Sequence, residues 1–232
     1  MTGRPVAPVL PPSLRAWLGL VAALAALAVV GLGAMYAGHS EPGRVDRWLV
    51  EPTADSVRPP WRHVAGATDF LGEPVGAAVL VLGAVLCCLL LRWPRAAVLV
   101  AVGPGLTVGT TTLLKPLVGR TIHDGSLSYP SGHTAFLTAL ALALALLATG
   151  RLGHGGRSGA SLVLLAALVA GGTMGWAQVA LGAHYPTDTL GGCCTALAVT
   201  PAAAWLVDRA SDRMADRRSD PADDRMADAG RP

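Results

Sequence analysis

KPLVGRTIHDGSLSYPSGH, residues 115–133, is a polar interval rich in Gly and Pro, set between two long apolar runs. It holds Lys115, the only lysine in the chain; all other cationic side chains apart from histidine are arginine. An ionisable group at the mouth of a hydrocarbon-like segment is costly, so it marks a candidate functional site. A second polar interval, GAHYPTD at 182–188, has the same placement further along. Read together, the two intervals predict one phosphate-handling site on a membrane protein.

Working outward, the apolar runs set the fold class. Crossing a bilayer as a helix takes about 20 residues. Six stretches meet or approach that length, at 14–37, 75–91, 95–114, 133–149, 160–181 and 186–207. They are built from Ala, Leu, Val and Gly, a mixture that lets helices approach closely in lipid. No alternating pattern recurs, which argues against a membrane barrel. The expectation is an all-α bundle of six transmembrane helices. With 52% hydrophobic and 14% charged residues, the composition is that of a membrane protein. A net charge of +3, thinly scattered, is too small to argue for nucleic acid, and none is expected as a partner. The adjacent pairs Cys87-Cys88 and Cys193-Cys194 lie in apolar runs without metal-type spacing and read as small hydrophobes. The first run is longer than a signal-peptide core, so it is expected to be retained as a span.

Arginine placement orients the bundle. With the N-terminus cytoplasmic, the inner segments 1–13, 92–95, 150–159 and 208–232 carry Arg4, Arg92, Arg95, Arg151, Arg157 and a cluster from Arg209 onward, against Arg44, Arg47, Arg58, Arg62, Lys115 and Arg120 outside. The short loops favour this arrangement under the positive-inside rule. The division expected is a cytoplasmic tail over 1–13, a six-span domain over 14–207 and a charged cytoplasmic tail, disordered or loosely helical, over 208–232. The interval 38–74 is compatible with short helices lying in the interface or with a disordered loop. This topology, drawn without reference to the histidines, puts both polar intervals on the extracytoplasmic face.

Chemistry follows from residue type and position. Ser131 suits the N-cap of the fourth span, with Gly132 and His133 in its first turn. A helix N-terminus offers free N–H groups and a positive dipole end to an anion, and Gly132 permits close approach. Lys115 and Arg120 add charge, Arg120 with a geometry suited to gripping phosphate twice. Pro186 fits the first position of the sixth span, and Asp188 lies four residues after His184, within reach of its ring. Such a carboxylate fixes the tautomer and leaves the other ring nitrogen as nucleophile or base. His133 would then serve as the acid for the leaving alcohol.

Lys115 with Arg120, PSGH at 130–133 and LGAHYPTD at 181–188 resemble the three signature motifs of the type-2 phosphatidic acid phosphatase family, whose fold is shared with vanadium haloperoxidases. The resemblance runs over roughly 45–207. It implies a membrane phosphatase acting on a lipid phosphate or pyrophosphate through a phosphohistidine, without metal or other cofactor. It further implies His184 as nucleophile, Asp188 as its orienting carboxylate and His133 as acid, with Lys115, Ser131 and Gly132 on the phosphate. Two departures stand out. Ile122 and His123 occupy the family's Arg-Pro positions, leaving Arg120 as the remaining arginine of the first motif. Ala177 and Gln178 occupy its Ser-Arg positions in the third. Gln178 and His123 are therefore possible substitutes, Gln178 without charge. Two alternatives remain open: a weakened family member that binds a phosphorylated lipid without efficient turnover, and a metal site of His133, His184 and Asp188, ranked last because it leaves Lys115 unexplained.

Overall fold

The computed structural model describes residues 8–54, 57–123, 125–153 and 156–229, with side chains at 51, 52, 54 and beyond 216 outside the description. Arg4, His154 and the side chains of the charged tail beyond 216, where the DRMAD of 212–216 recurs at 224–228, therefore lie outside it. A short 3-10 turn, Pro12–Leu14, leads into α1 (Arg15–Met35). Two short helices follow, α2 (Arg44–Ala54) and α3 (Trp61–Phe70). The long helices are α4 (Pro74–Leu90), α5 (Pro94–Val118), α6 (Gly132–Leu152), α7 (Gly156–Ala180) and α8 (Pro186–Ala229). Among the described residues there is no strand, only an isolated bridge between Thr121 and Leu127.

Five of these helices are long and apolar enough to cross a membrane. The sixth crossing is different in kind. At 17 residues, α4 rises only about 26 Å, short of a hydrocarbon layer about 30 Å thick. With α3, from which it is bent by 63°, it is long and apolar enough to be the sixth candidate span. The bend is close: a Cβ on Gly76 would collide with the Phe70 carbonyl. The interval 38–74 thus contains helices, and Trp48, Trp61 and Phe70 are exposed on them, as suits an interfacial position.

Local signals place the ends. Pro at the first helical position starts α4 and α5, where a missing N–H costs nothing. Gly119 and Gly153 close α5 and α6 in the left-handed conformation, which glycine adopts without a Cβ penalty. Pro104 and Pro116 lie inside α5, yet the helix continues, since neighbouring helices stabilise such interruptions in membranes.

The Ala/Leu-rich α6 is the centre of the bundle, packed by α5, α7 and α8 and carrying buried Ala139, Leu142, Ala143 and Leu146. Lipid provides no hydrophobic drive between helices, so close contact of small residues must hold them together. Gly191 and Gly192 show how: a Cβ on either would strike the Tyr129 ring or the Ser131 carbonyl. The N-terminal turns of α6 and α8 therefore meet at backbone distance. At the other end, Asp208 accepts from the Val9 and Leu10 amides at 2.9 and 3.0 Å and faces Arg95. Arg95 also pairs with Asp212 at 2.7 Å. Helix α8 runs on unbroken to Ala229, through the segment expected as a separate tail.

Candidate active site

The two polar intervals meet at the end of the bundle away from Asp208. Ser131 N–H donates to the Asp188 carbonyl at 3.0 Å, tying the PSGH turn to the first turn of α8. Ser131 caps α6 as its sequence predicts, its Oγ accepting from the Thr134 amide at 3.4 Å. That oxygen is also 3.1 Å from the Thr134 hydroxyl, and the residue is fully buried. Gly132 faces only Thr111 Oγ1, at ordinary contact distance from an added Cβ. The Thr134 and Ala135 amides are taken up by Ser131 Oγ and the Ser131 carbonyl, while Gly132 and His133 are half-buried.

Asp188 is the structural hub. Its Oδ1 accepts from Arg120 Nη1 at 2.6 Å and its Oδ2 from the Tyr185 amide at 3.0 Å. His184 Nδ1 lies 3.7 Å from Oδ2, too long for a hydrogen bond, and has no partner in this geometry. Catalytic hydrogen bonds are often long in the empty site and tighten with substrate. His184 itself is nearly buried, at 9% exposure.

Arg120 is held by protein groups on both sides. Its guanidinium was expected to grip phosphate, but both terminal nitrogens are already committed. Nη1 donates to Asp188 and to the Thr187 hydroxyl at 2.6 Å, and Nη2 to Asp46 at 2.7 Å. The Tyr36 and Tyr185 rings lie against it with the guanidinium carbon 4.1 and 4.8 Å from their centroids. Arg120 and Asp46 are fully buried. A buried cation must be paired; two carboxylates pair it, while its Nε–H has no hydrogen-bond partner among the described residues. Asp46 also accepts from the Thr187 amide at 2.9 Å. Sequence reading assigned no role to Asp46; the only signal was a carboxylate in an apolar-flanked interfacial segment.

On the other side of the site, His133 Nε2 stands 3.7 Å from both Asp69 Oδ1 and Glu73 Oε1. Gly72 packs directly against its ring, where a Cβ would collide. Asp69 Oδ1 also accepts from Gln178 Nε2 at 2.5 Å. Gln178, which stands at a family arginine position, thus reaches the acidic pair beside His133. The bent α3–α4 pair supplies both carboxylates, and hydropathy gave no hint of them. Asp69, Glu73 and His133 place their ligand atoms within 4.8 Å of one another. Among the described residues this is the group with metal-ligating spacing, in place of the set His133, His184 and Asp188.

Lys115 Nζ donates to the Leu127 carbonyl at 2.9 Å, which folds the loop back over the end of α5. His123 is exposed and meets the Tyr185 ring edge-on, with centroids 6.0 Å apart. Burial pushes the Tyr185 hydroxyl up from its ordinary pKa, and it donates to the Ser40 carbonyl at 3.0 Å.

The sequence model of the PAP2 superfamily matches residues 96–212, which covers α5 to α8 and both polar intervals. A comparison with curated protein sequences found no match. Among solved structures, the chain is similar to a transmembrane PAP2-type phosphatidylglycerolphosphate phosphatase from Bacillus subtilis. The TM-score is 0.64 at 20% identity, covering 83% of this chain and 96% of that one. That likeness speaks for the fold, an all-helical membrane bundle. The family match, over half of the chain and spanning both histidine motifs, makes this protein a member of the PAP2 superfamily.

Proposed function

We propose that the protein is a membrane phosphatase that releases phosphate from a lipid phosphate or pyrophosphate through a phosphohistidine on His184. The carrying observation is Asp188, clamped by Arg120 and the Tyr185 amide and directed at His184 Nδ1. A proton on Nδ1 leaves the Nε2 lone pair to attack phosphorus. The P–O bond to the lipid breaks as the P–N bond forms, and His133 donates the proton that the leaving oxygen takes. Water then attacks the phosphohistidine, His133 recovers a proton from it, and inorganic phosphate departs. Lys115, Ser131 and Gly132, with the first-turn amides of α6, hold the phosphate. Arg120 acts one step back, positioning Asp188. Arg92, Arg95, Arg151 and Arg157 in the short loops of the opposite face support, by the positive-inside rule, an extracytoplasmic site and cytoplasmic termini.

Purified protein should release phosphate from phosphatidic acid, phosphatidylglycerol phosphate or a polyprenyl pyrophosphate with chelator present. His184→Ala should abolish it; full activity in that variant overturns the mechanism. A second reading, a weakened lipid-phosphate binder, is favoured by Gln178 and Ile122 standing where the family carries arginines. Saturable binding of these lipids by wild type, without phosphate release, selects it. Loss of turnover with chelator and recovery with added zinc would instead implicate Asp69, Glu73 and His133 as ligands.

A further inference from the structure

The turn between α3 and α4 carries two carboxylates that phosphoryl transfer at His184 leaves unused. Asp69 sits in the last turn of α3, and Glu73 is the residue before α4. Backbone hydrogen bonds close the turn, from the Gly72 amide to Asp69 at 2.8 Å and from the Glu73 amide to Phe70 at 3.2 Å. Both carboxylates face His133, whose ring is clamped by the close approach of Gly72. His133 Nε2 is shut off from solvent and has no hydrogen-bond partner among the described residues. We propose that Asp69, Glu73 and His133 form a zinc site, and that zinc bound there inhibits the phosphatase by occupying a ring nitrogen of its acid. The inhibition rests on the function proposed above; the binding does not.

The spacing is that of metal ligands. At 3.7 Å from Asp69 Oδ1 and from Glu73 Oε1, Nε2 is too far from either for a hydrogen bond. Bonds of about 2.0–2.2 Å to a tetrahedral zinc put neighbouring ligand atoms about 3.3–3.6 Å apart. The three atoms already lie within 4.8 Å of one another, and rotation of the carboxylates supplies the rest. The donors also select the ion: one imidazole and two carboxylates suit zinc, with a fourth position for water, whereas magnesium and calcium take oxygen throughout. An outer contact is in place, since Gln178 Nε2 donates to Asp69 Oδ1, and such contacts orient ligating carboxylates. Glu73 makes no capping hydrogen bond to α4 and is exposed, which gives the ion a way in. Inhibition follows from counting lone pairs. As the acid, His133 must carry hydrogen on both ring nitrogens before it gives one to the leaving oxygen. Zinc takes the Nε2 lone pair and releases any proton there to solvent, so the imidazolium cannot form while the ion is bound.

The test uses the full chain in detergent, freed of metal by a chelator that is then dialysed away, and titrated with zinc chloride against a colorimetric zinc indicator. Wild type should bind a single zinc ion per chain. Glu73→Gln and Asp69→Asn should each weaken binding by about tenfold or more, since losing even an outer partner of a ligand costs that much. X-ray absorption at the zinc edge should show only nitrogen and oxygen neighbours, at about 2.0–2.2 Å. A sulfur neighbour at about 2.3 Å would put the ion on the cysteines, and binding untouched by both substitutions would put it on other histidines. No binding would leave Asp69 and Glu73 as counter-charges to His133 alone. Each of these three results overturns the site. For inhibition, phosphate release from phosphatidic acid in mixed micelles is measured for each protein with and without zinc. Saturating zinc should slow wild type by about a hundredfold, what loss of a general acid costs, and Glu73→Gln should need about tenfold more zinc for the same effect. Zinc bound at the site with the rate unchanged or raised overturns the inhibition. If metal-free wild type releases no phosphate, the phosphatase reading fails, and binding and absorption alone decide the zinc site.

Discussion

Arg120 and Asp188 form a fully buried ion pair, 2.6 Å from Nη1 to Oδ1, and Asp46 closes it from the other side at 2.7 Å. Three chain segments far apart in sequence are joined there: an interfacial helix, the loop after α5 and the first turn of α8. Breaking a buried pair leaves an uncompensated charge, at a cost of about 3–5 kcal/mol. Arg120→Ala should therefore lower stability by an amount of that order, read as earlier thermal unfolding in detergent. Arg120→Lys should not rescue it, because one ammonium cannot reproduce a planar fork between two carboxylates.

Asp46→Asn tests the positioning role separately. It keeps the shape but removes one counter-charge, so Arg120 turns more fully to Asp188. We expect kcat for a lipid phosphate to fall with KM nearly unchanged. Lys115→Ala should do the reverse, raising KM by about ten- to a hundredfold for loss of one charge-assisted bond of about 1.5–3 kcal/mol.

Gln178→Arg restores charge at the third-motif position. The new guanidinium would meet Asp69, which already binds the Gln178 amide, so part of its charge is neutralised. The expected gain is at the low end, KM falling about tenfold for one charge-assisted bond. An unchanged KM would place position 178 outside the phosphate's reach.

Gly192→Ala puts a methyl group against the Ser131 carbonyl and the Ala135 amide. Backbone cannot yield as a side chain tip does, and overpacking costs about 1–3 kcal/mol or more. Both unfolding temperature and activity should drop, since the α6 and α8 turns carrying His133 and Asp188 are forced apart. Gly83→Ala, where a Cβ meets nothing, should leave both unchanged.

Asp208→Asn provides the opposite case. It loosens the Val9 and Leu10 amides and Arg95 at the end remote from His184. Melting should occur earlier while kcat and KM stay as in wild type.

The long helices were legible from the chain alone because a membrane imposes a simple demand: about 20 apolar residues per crossing, punctuated by Pro at starts and Gly at ends. The histidine motifs were legible for a related reason, since polar clusters between such runs have few structural uses. The Ser131 cap, Gly132 and the His184–Asp188 spacing are local features, fixed within one helical turn. What the chain alone could not reveal were pairings made across 60 to 140 residues. Arg120 looked like a phosphate ligand because its charge was visible and its partners, Asp46 and Asp188, were not. Asp69 and Glu73 came to His133 only through the 63° bend between α3 and α4. A side chain's type sets what chemistry it can do; burial and the neighbours folded against it decide whether the charge faces a substrate or another residue.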